Sequence, residues 1–203
     1  MNHIDKIFYI NLERRIDRRL LLEREFLRMD LSGERFPAIE DTIGMIGCGK
    51  SHLAVLKLAK ERGYKNILIL EDDFEFLVDK EIFEKEISTF FSLKMDYDVL
   101  MLSYNCVNNH DYTALESTNV FKVNSAQTTS GYIVNEHFYD ILIKCFEEGL
   151  DKLIETNNQS KYSLDQYWKI LQPRSKWFGF CKRIGKQRSS YSDIENRYVN
   201  YGV

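Results

Sequence analysis

Apolar residues in this chain fall into two patterns, short continuous runs and longer stretches with helical spacing. Ile7-Phe-Tyr-Ile10, Ile67-Leu-Ile-Leu70 and Val99-Leu-Met-Leu102 are unbroken runs, as expected of strands covered on both faces. They predict strands over 4–10, 67–70 and 98–103, with a weaker alternating strand at 120–123. Helical spacing predicts a helix over 13–29 with Leu20, Leu21, Phe26 and Leu27 as buried candidates. Further helices are expected over 51–62 (ended by Gly63, with Leu53, Leu56 and Leu58 inward), 80–91 and 136–148. A short one spans 164–171, closed by Pro173 and capped by Ser163 or Asp165. Residues 31–42 read as irregular, 105–117 as a polar loop and 156–160 as a polar linker. Strand followed at once by helix is the opening of a nucleotide-binding α/β unit, here one domain with a mostly parallel sheet.

The strand at 67–70 ends in Glu71, Asp72 and Asp73. Three adjacent carboxylates repel one another, and a divalent cation bound through oxygen would neutralise them. If the extended backbone continues, Glu71 and Asp73 point to one side and Asp72 to the other. The carboxyl edge of the sheet is where ligands of open α/β folds bind. A solvated acidic turn is the alternative.

Arg14, Arg15, Arg18 and Arg19 crowd the start of the first helix, where cations oppose the helix dipole. A bound anion would relieve that, and guanidinium suits pyrophosphate. A solvated basic face, partly paired with Glu13 and Asp17, accounts for them equally well. Gly44-Met-Ile-Gly-Cys-Gly-Lys-Ser51 matches the phosphate-loop pattern of nucleoside triphosphatases. Its context argues otherwise, because Pro37, Glu40, Asp41 and Thr42 interrupt the segment where a buried strand should precede the loop. A phosphotransferase built on this loop is the second reading of the chain. His52 reads as structural. Thr129-Ser130-Gly131 offers hydroxyls and a close backbone approach suited to a sugar, or is an ordinary turn. Lys182, Arg183, Lys186 and Arg188 near the C-terminus could close over a phosphate.

Composition narrows the function classes. The 203 residues are 44% hydrophobic and 29% charged, as in an ordinary globular protein. A net charge of −3 argues against nucleic acid as the main partner. No apolar stretch approaches the ~20 residues of a membrane span, and the N-terminus lacks a signal-peptide run. Cys48, Cys106, Cys145 and Cys181 are scattered in a pattern that suits neither a zinc nor a redox motif. Reduced thiols and a cytoplasmic location are expected.

Six segments fall in an order that resembles glycosyltransferase family 25, the lipooligosaccharide and procollagen galactosyltransferases. They are Phe8-Tyr-Ile-Asn-Leu-Glu-Arg-Arg-Ile-Asp-Arg18, Ile46-Gly-Cys-Gly-Lys-Ser-His52, Leu68-Ile-Leu-Glu-Asp-Asp73, Ser130-Gly-Tyr-Ile-Val-Asn135, Leu164-Asp-Gln166 and Gln187-Arg-Ser-Ser-Tyr-Ser-Asp193. The resemblance covers about 5–195. It implies a GT-A fold, an αβα sandwich that binds a UDP-sugar with Mn²⁺ or Mg²⁺ and transfers with inversion. Glu71 and Asp73 would take the outer places of the acidic metal motif, with Asp72 between them by the nucleotide. A Glu in first position departs from the plain Asp-x-Asp form, so Asp73 is the firmer ligand. Asn11, Arg14, Arg15 and Arg18 would lie by the nucleotide, and Asp193 by the metal or diphosphate. Gly131, Lys186 and Arg188 join the expected donor site. The donor would be a UDP-hexose, galactose or glucose, and the acceptor a glycan or a hydroxylysine-type protein side chain. The chain is short for the group and lacks its eukaryotic secretory and retention signals, so a bacterial or viral enzyme is expected.

The chemistry asks for one residue more. An inverting displacement needs a base to take the acceptor hydroxyl proton, and Asp165, beside Tyr167 and Trp168, is the candidate. The aromatic pair would hold a sugar face. A UDP-sugar-binding module without catalysis is the third reading.

Overall fold

The computed structural model describes residues 3–106, 108–192, 194 and 197–200. Strand β1 (Lys6–Asn11) and helix α1 (Ile16–Met29) open the chain, followed by the edge strand β2 (Glu34–Pro37) and α2 (Gly44–Glu61). Next come β3 (Asn66–Glu71), the short β4 (Phe74–Phe76), α3 (Lys80–Ser92) and β5 (Val99–Met101). β6 (Tyr112–Ala114), β7 (Val120–Val123) and β8 (Gly131–Asn135) lead to α4 (Tyr139–Thr156) and two single-turn helices, α5 (Gln159–Tyr162) and α6 (Leu164–Tyr167). β9 (Trp177–Phe180), β10 (Gly185–Gln187), β11 (Ser190–Ser192) and β12 (Arg197–Val199) complete it.

One eight-stranded sheet runs in the order β2-β1-β3-β8-β5-β9-β7-β6, with β8 and β7 opposed to the other six strands. It is a mostly parallel central sheet, as expected. The unbroken apolar runs have the expected cause. Along β3, Ile67 and Ile69 pack on the α2, α4 and α6 side with Val55, Leu142 and Trp168. Leu68 and Leu70 pack on the opposite side with Leu22 and Phe26 of α1 and Phe83 of α3. Both faces are covered, so every residue of the run is apolar.

Several elements differ from expectation, each for a physical reason. In α1 the buried face is Leu22, Phe26 and Met29, a spacing that turns Leu20 and Leu27 to solvent. α2 begins at Gly44, so the glycine-rich segment is helical. Its glycines serve close packing: a Cβ on Gly47 would lie 2.6 Å from the Ile39 carbonyl oxygen, and one on Gly49 2.7 Å from Leu150. α4 runs on to Thr156, and β9, entirely buried, went unforeseen because Gly179 breaks its apolar run. A side chain there would strike the ring of Phe121. β2 lies at the sheet edge, where Pro37 is tolerated. β8 is a buried central strand whose first residue, Gly131, ends the Thr129-Ser130-Gly131 segment expected as a turn or a sugar contact. All four cysteines are free thiols. Among the described residues no helix is long and apolar enough to cross a membrane.

The topology brings three segments to one sheet edge. Ile10 is paired with Glu71, so Asn11 and the acidic turn adjoin. β8 runs the other way, which carries Thr129 and Ser130 to the same edge, with the Glu71 amide donating to the Ser130 carbonyl at 2.9 Å. β10 pairs with β4 and sets Gln187 opposite Phe74, one residue beyond Asp73.

Candidate active site

The acidic strand end is divided between two sets of partners. Arg18 Nη1 stands 3.0 Å from Asp72 Oδ1 and 3.0 Å from Asp73 Oδ2. Asp72 Oδ2 accepts a 2.7 Å hydrogen bond from Asn11 Nδ2, and Asp73 Oδ2 one of 3.2 Å from Gln187 Nε2. Asp73 Oδ1 is buried and has no hydrogen-bond partner among the described residues. Glu71 faces elsewhere, accepting from Thr129 Oγ1 at 2.5 Å, with His52 Nε2 at 3.2 Å. The expected alternation, Glu71 with Asp73 against Asp72, does not hold for these contacts, because extended structure stops at Glu71 and the two aspartates lie in a turn.

One cation does not offset three carboxylates. Burial, then the charge of Glu71, push the Asp73 carboxyl up to about 7 despite Arg18. Burial also raises Asp72. Burial acts on Glu71 too, but the hydrogen bonds from His52 and Thr129 hold it below its ordinary value. For Arg18 burial opposes the charge, yet Asp73 and Asp72 together raise its pKa. An orphaned, buried, oxygen-only ligand on a raised carboxyl fits a hard divalent cation.

These groups line a cavity of about 360 Å³. Arg14 and Arg18 stand in one wall, Asp41, Cys48 and His52 in another, and Gln187, Ser192 and Ile194 bring the C-terminal segment over it. A neighbouring cavity of about 300 Å³ shares Cys48, Glu71, Gln187 and Ile194 and is lined by Asn105, Gln127, Thr129 and Asp165.

Of the residues singled out in the sequence, Asn11, Arg18, Glu71, Asp72 and Asp73 meet at one place. Arg14 lines the cavity while paired with Glu40 at 2.5 Å. Arg15 holds Asp17 at 2.8 Å and the Tyr191 carbonyl at 3.2 Å, tying α1 to the C-terminal segment. Lys186 faces Glu75 at 3.5 Å, and Arg188 lies 3.8 Å from both Glu25 and Glu75. Neither lines one of these two cavities. Gly131 has a packing role, since a Cβ there would come 2.4 Å from the Phe74 ring. Asp193 lies outside the described residues.

Asp165 does line the second cavity, where its Oδ2 accepts the Thr128 amide at 3.2 Å and burial raises its pKa. It does not cap α6, and neither does the side chain of Ser163. The aromatic platform is overturned. Trp168 is fully buried, donating to the Ala126 carbonyl at 3.1 Å and packed edge-on against Tyr132 and Trp177, and Tyr167 packs in the same core. The phosphate-loop reading fails too: Gly44 to Ser51 are helical, Lys50 pairs with Asp41 at 2.7 Å, and the Ser51 hydroxyl donates to the Gly47 carbonyl.

Sequence reasoning gave no role to Cys48 or Gln187, read His52 as structural, and singled out Thr129 for a sugar where its hydroxyl instead donates to Glu71. A usable signal existed in Cys48 and His52, four apart on one helix face.

A family model described as glycosyltransferase family 25 (LPS biosynthesis protein) matches residues 42–154, more than half of the chain. The chain belongs to glycosyltransferase family 25. Curated relatives that share the family name include a glycosyltransferase 25 family member of Drosophila melanogaster, 32% identical over 101 residues. That match covers 36% of this chain and 16% of the relative. Its counterpart in Drosophila pseudoobscura pseudoobscura is 33% identical over 101 residues with the same coverage. The match therefore spans under a fifth of these relatives' length. Among solved structures, a glycosyltransferase involved in glycosylation of the major capsid of PBCV-1 superposes with a TM-score of 0.58 at 11% identity, covering 94% of this chain and 95% of that one. A197 from STIV gives 0.50 at 13% identity, over 96% and 92%. These likenesses concern the fold, and the α/β sandwich of this family 25 chain is GT-A-like.

Proposed function

We propose that this family 25 glycosyltransferase moves a hexose, galactose or glucose, from a UDP-sugar to an acceptor hydroxyl with inversion, assisted by Mn²⁺ or Mg²⁺. The observation that carries the reading is the orphaned Asp73 Oδ1, buried beside Arg18 at the carboxyl edge of the sheet. Asp73 would hold the cation, with Asp72 and Glu71 adding negative charge around it. When bound, the cation neutralises the charge that grows on the diphosphate as the sugar–phosphate bond breaks.

The protein's own residues divide the remaining work. Arg14 faces the larger cavity and suits a phosphate oxygen. Arg18 keeps Asp72 and Asp73 in place, and Asn11, held by Arg35 at 3.0 Å, buttresses Asp72. The second cavity would take the acceptor, a glycan or hydroxylated protein side chain. Asp165 would receive the acceptor hydroxyl proton there. Free thiols throughout favour a reducing compartment.

Incubation with UDP-galactose or UDP-glucose and Mn²⁺, with UDP release as the readout, tests the reading. Release with either donor, lost on chelation, is expected. Stabilisation by ATP-Mg²⁺ without any by UDP-Mn²⁺ would overturn it.

A further inference from the structure

Beside the acidic turn lies a second group of ligand atoms with a different chemistry. α2 carries Cys48 and His52 on one face, four residues apart, and the end of β3 brings Glu71 up to them. One ligand atom from each of the three, sulfur, imidazole nitrogen and carboxylate oxygen, lies within 4.8 Å of the others. No other such group occurs among the described residues. The wide spacing between cysteines in the sequence gave no sign of it, because the partners of Cys48 are not cysteines.

We propose that Cys48, His52 and Glu71 form a binding site for a thiophilic divalent cation, Zn²⁺ in chemical class, distinct from the hard-cation place on Asp73. The donor set is the one Zn²⁺ accepts, a thiolate, an imidazole and a carboxylate. Three protein ligands leave a fourth position open toward the cavity that all three residues line, which also provides the entry path.

The surroundings are built for ligation. His52 is fully buried, and its Nδ1 lies 2.8 Å from the Tyr132 hydroxyl. In the metal-free protein Nε2 faces Glu71 at 3.2 Å, and a cation between them would take the place of that hydrogen bond. The ring proton would then sit on Nδ1, donated to Tyr132, the outer partner that metal-bound histidines ordinarily have. Glu71 is likewise oriented by the 2.5 Å bond from Thr129. Binding costs the Cys48 thiol its proton, which leaves to solvent, and no electron is transferred.

Co²⁺ is the probe, because thiolate ligation gives it a charge-transfer band in the near ultraviolet that oxygen ligation does not. The full chain, stripped with chelator, is titrated with Co²⁺, and Zn²⁺ is then added as competitor. A saturable band displaced by Zn²⁺ is expected. Cys48→Ser should remove it with an unchanged circular dichroism spectrum, while Cys106→Ser and Cys181→Ser keep it. Tyr132→Phe should retain the band but weaken Co²⁺ affinity by roughly 10-fold, the scale of an outer-partner loss. Absence of the band, or its survival in Cys48→Ser, overturns the proposal. The transferase reading fails separately: UDP-Mn²⁺ binding without a Co²⁺ band removes only the thiolate site, and a Co²⁺ band without UDP binding removes only the donor site.

Discussion

Arg18 Nη1 lies 3.0 Å from Asp73 Oδ2 and equally close to Asp72 Oδ1, so one guanidinium holds two buried carboxylates. The same guanidinium reaches the Ser190 hydroxyl at 2.7 Å and the Tyr191 carbonyl at 2.8 Å, joining the acidic turn to the C-terminal segment. Removing it leaves two carboxylates with no charge partner on α1. Breaking a buried ion pair on one side costs about 3–5 kcal/mol. Arg18→Met should therefore lower the melting temperature markedly, and Mn²⁺ should restore part of the loss by supplying the missing charge. A melting curve as high as that of the parent without metal would remove Arg18 from this role.

The pH dependence of stability follows from Asp73. Its carboxyl, raised from 3.8 to about 7, holds in the folded chain a proton that the unfolded chain releases. Stability from this group is complete below pH 3.8 and is lost as pH rises to about 7. Asp72, raised by burial, acts in the same direction. The metal-free protein should lose stability between those limits, and Mn²⁺ should stabilise it more at pH 8 than at pH 5, where protons compete. Thermal scans across that range, with and without Mn²⁺, measure both effects. A Mn²⁺ shift independent of pH would place the metal elsewhere.

Asp73→Asn isolates the ligand. It removes one of three adjacent charges, which relieves repulsion, so the fold should survive. UDP binding that depends on Mn²⁺ should be abolished, and the pH slope of stability should flatten. Calorimetry with UDP and Mn²⁺ measures the first, and unchanged affinity would contradict the assignment.

The fold was legible wherever both faces of a strand are covered, as at Ile67 to Leu70, because an unbroken apolar run of that length marks a strand buried on both sides. It was illegible where packing, and not pattern, decides. The phosphate-loop match around Gly47 and Gly49 could be set aside from its context, but their packing against Ile39 and Leu150 is a tertiary fact that the sequence does not display. The acidic turn and Asn11, which the structure brings together, were singled out because charge repulsion marks the one and motif order the other in one dimension. His52 was read as structural because its partners, Tyr132 and Glu71, come from other strands. Trp168 was misread for the converse reason: an aromatic beside a carboxylate in sequence says nothing about which of them faces solvent.

Gly131 offers a structural control near the site. A Cβ there would sit 2.4 Å from the Phe74 ring, and a Cβ on Gly185 would come within 2.1 Å of the same ring. Phe74 is buried and both glycines leave room only for its ring, so Gly131→Ala should destabilise by about 1–3 kcal/mol, the usual range for overpacking. Urea unfolding gives the number. A sugar-binding role for Gly131 would instead lower donor affinity at unchanged stability.

Asp165→Asn tests the proposed base apart from the metal. The carboxylate lines the second cavity and accepts the Thr128 amide at 3.2 Å. Thr128 adopts a left-handed φ of 83°, unusual for a β-branched residue, so the Asp165 bond helps hold a strained turn. An asparagine oxygen can still accept that amide, so the turn and the fold should persist. The amide cannot take a proton from an acceptor hydroxyl. UDP and Mn²⁺ binding should therefore remain near the parent values while turnover falls by ~10²-fold or more. Asp165→Ala, which also frees Thr128, should lose stability as well as turnover, and this difference separates the chemical role from the structural one. Full turnover in Asp165→Asn with a competent acceptor would move the base to another residue of the second cavity, where Glu71 is the remaining carboxylate among the described residues.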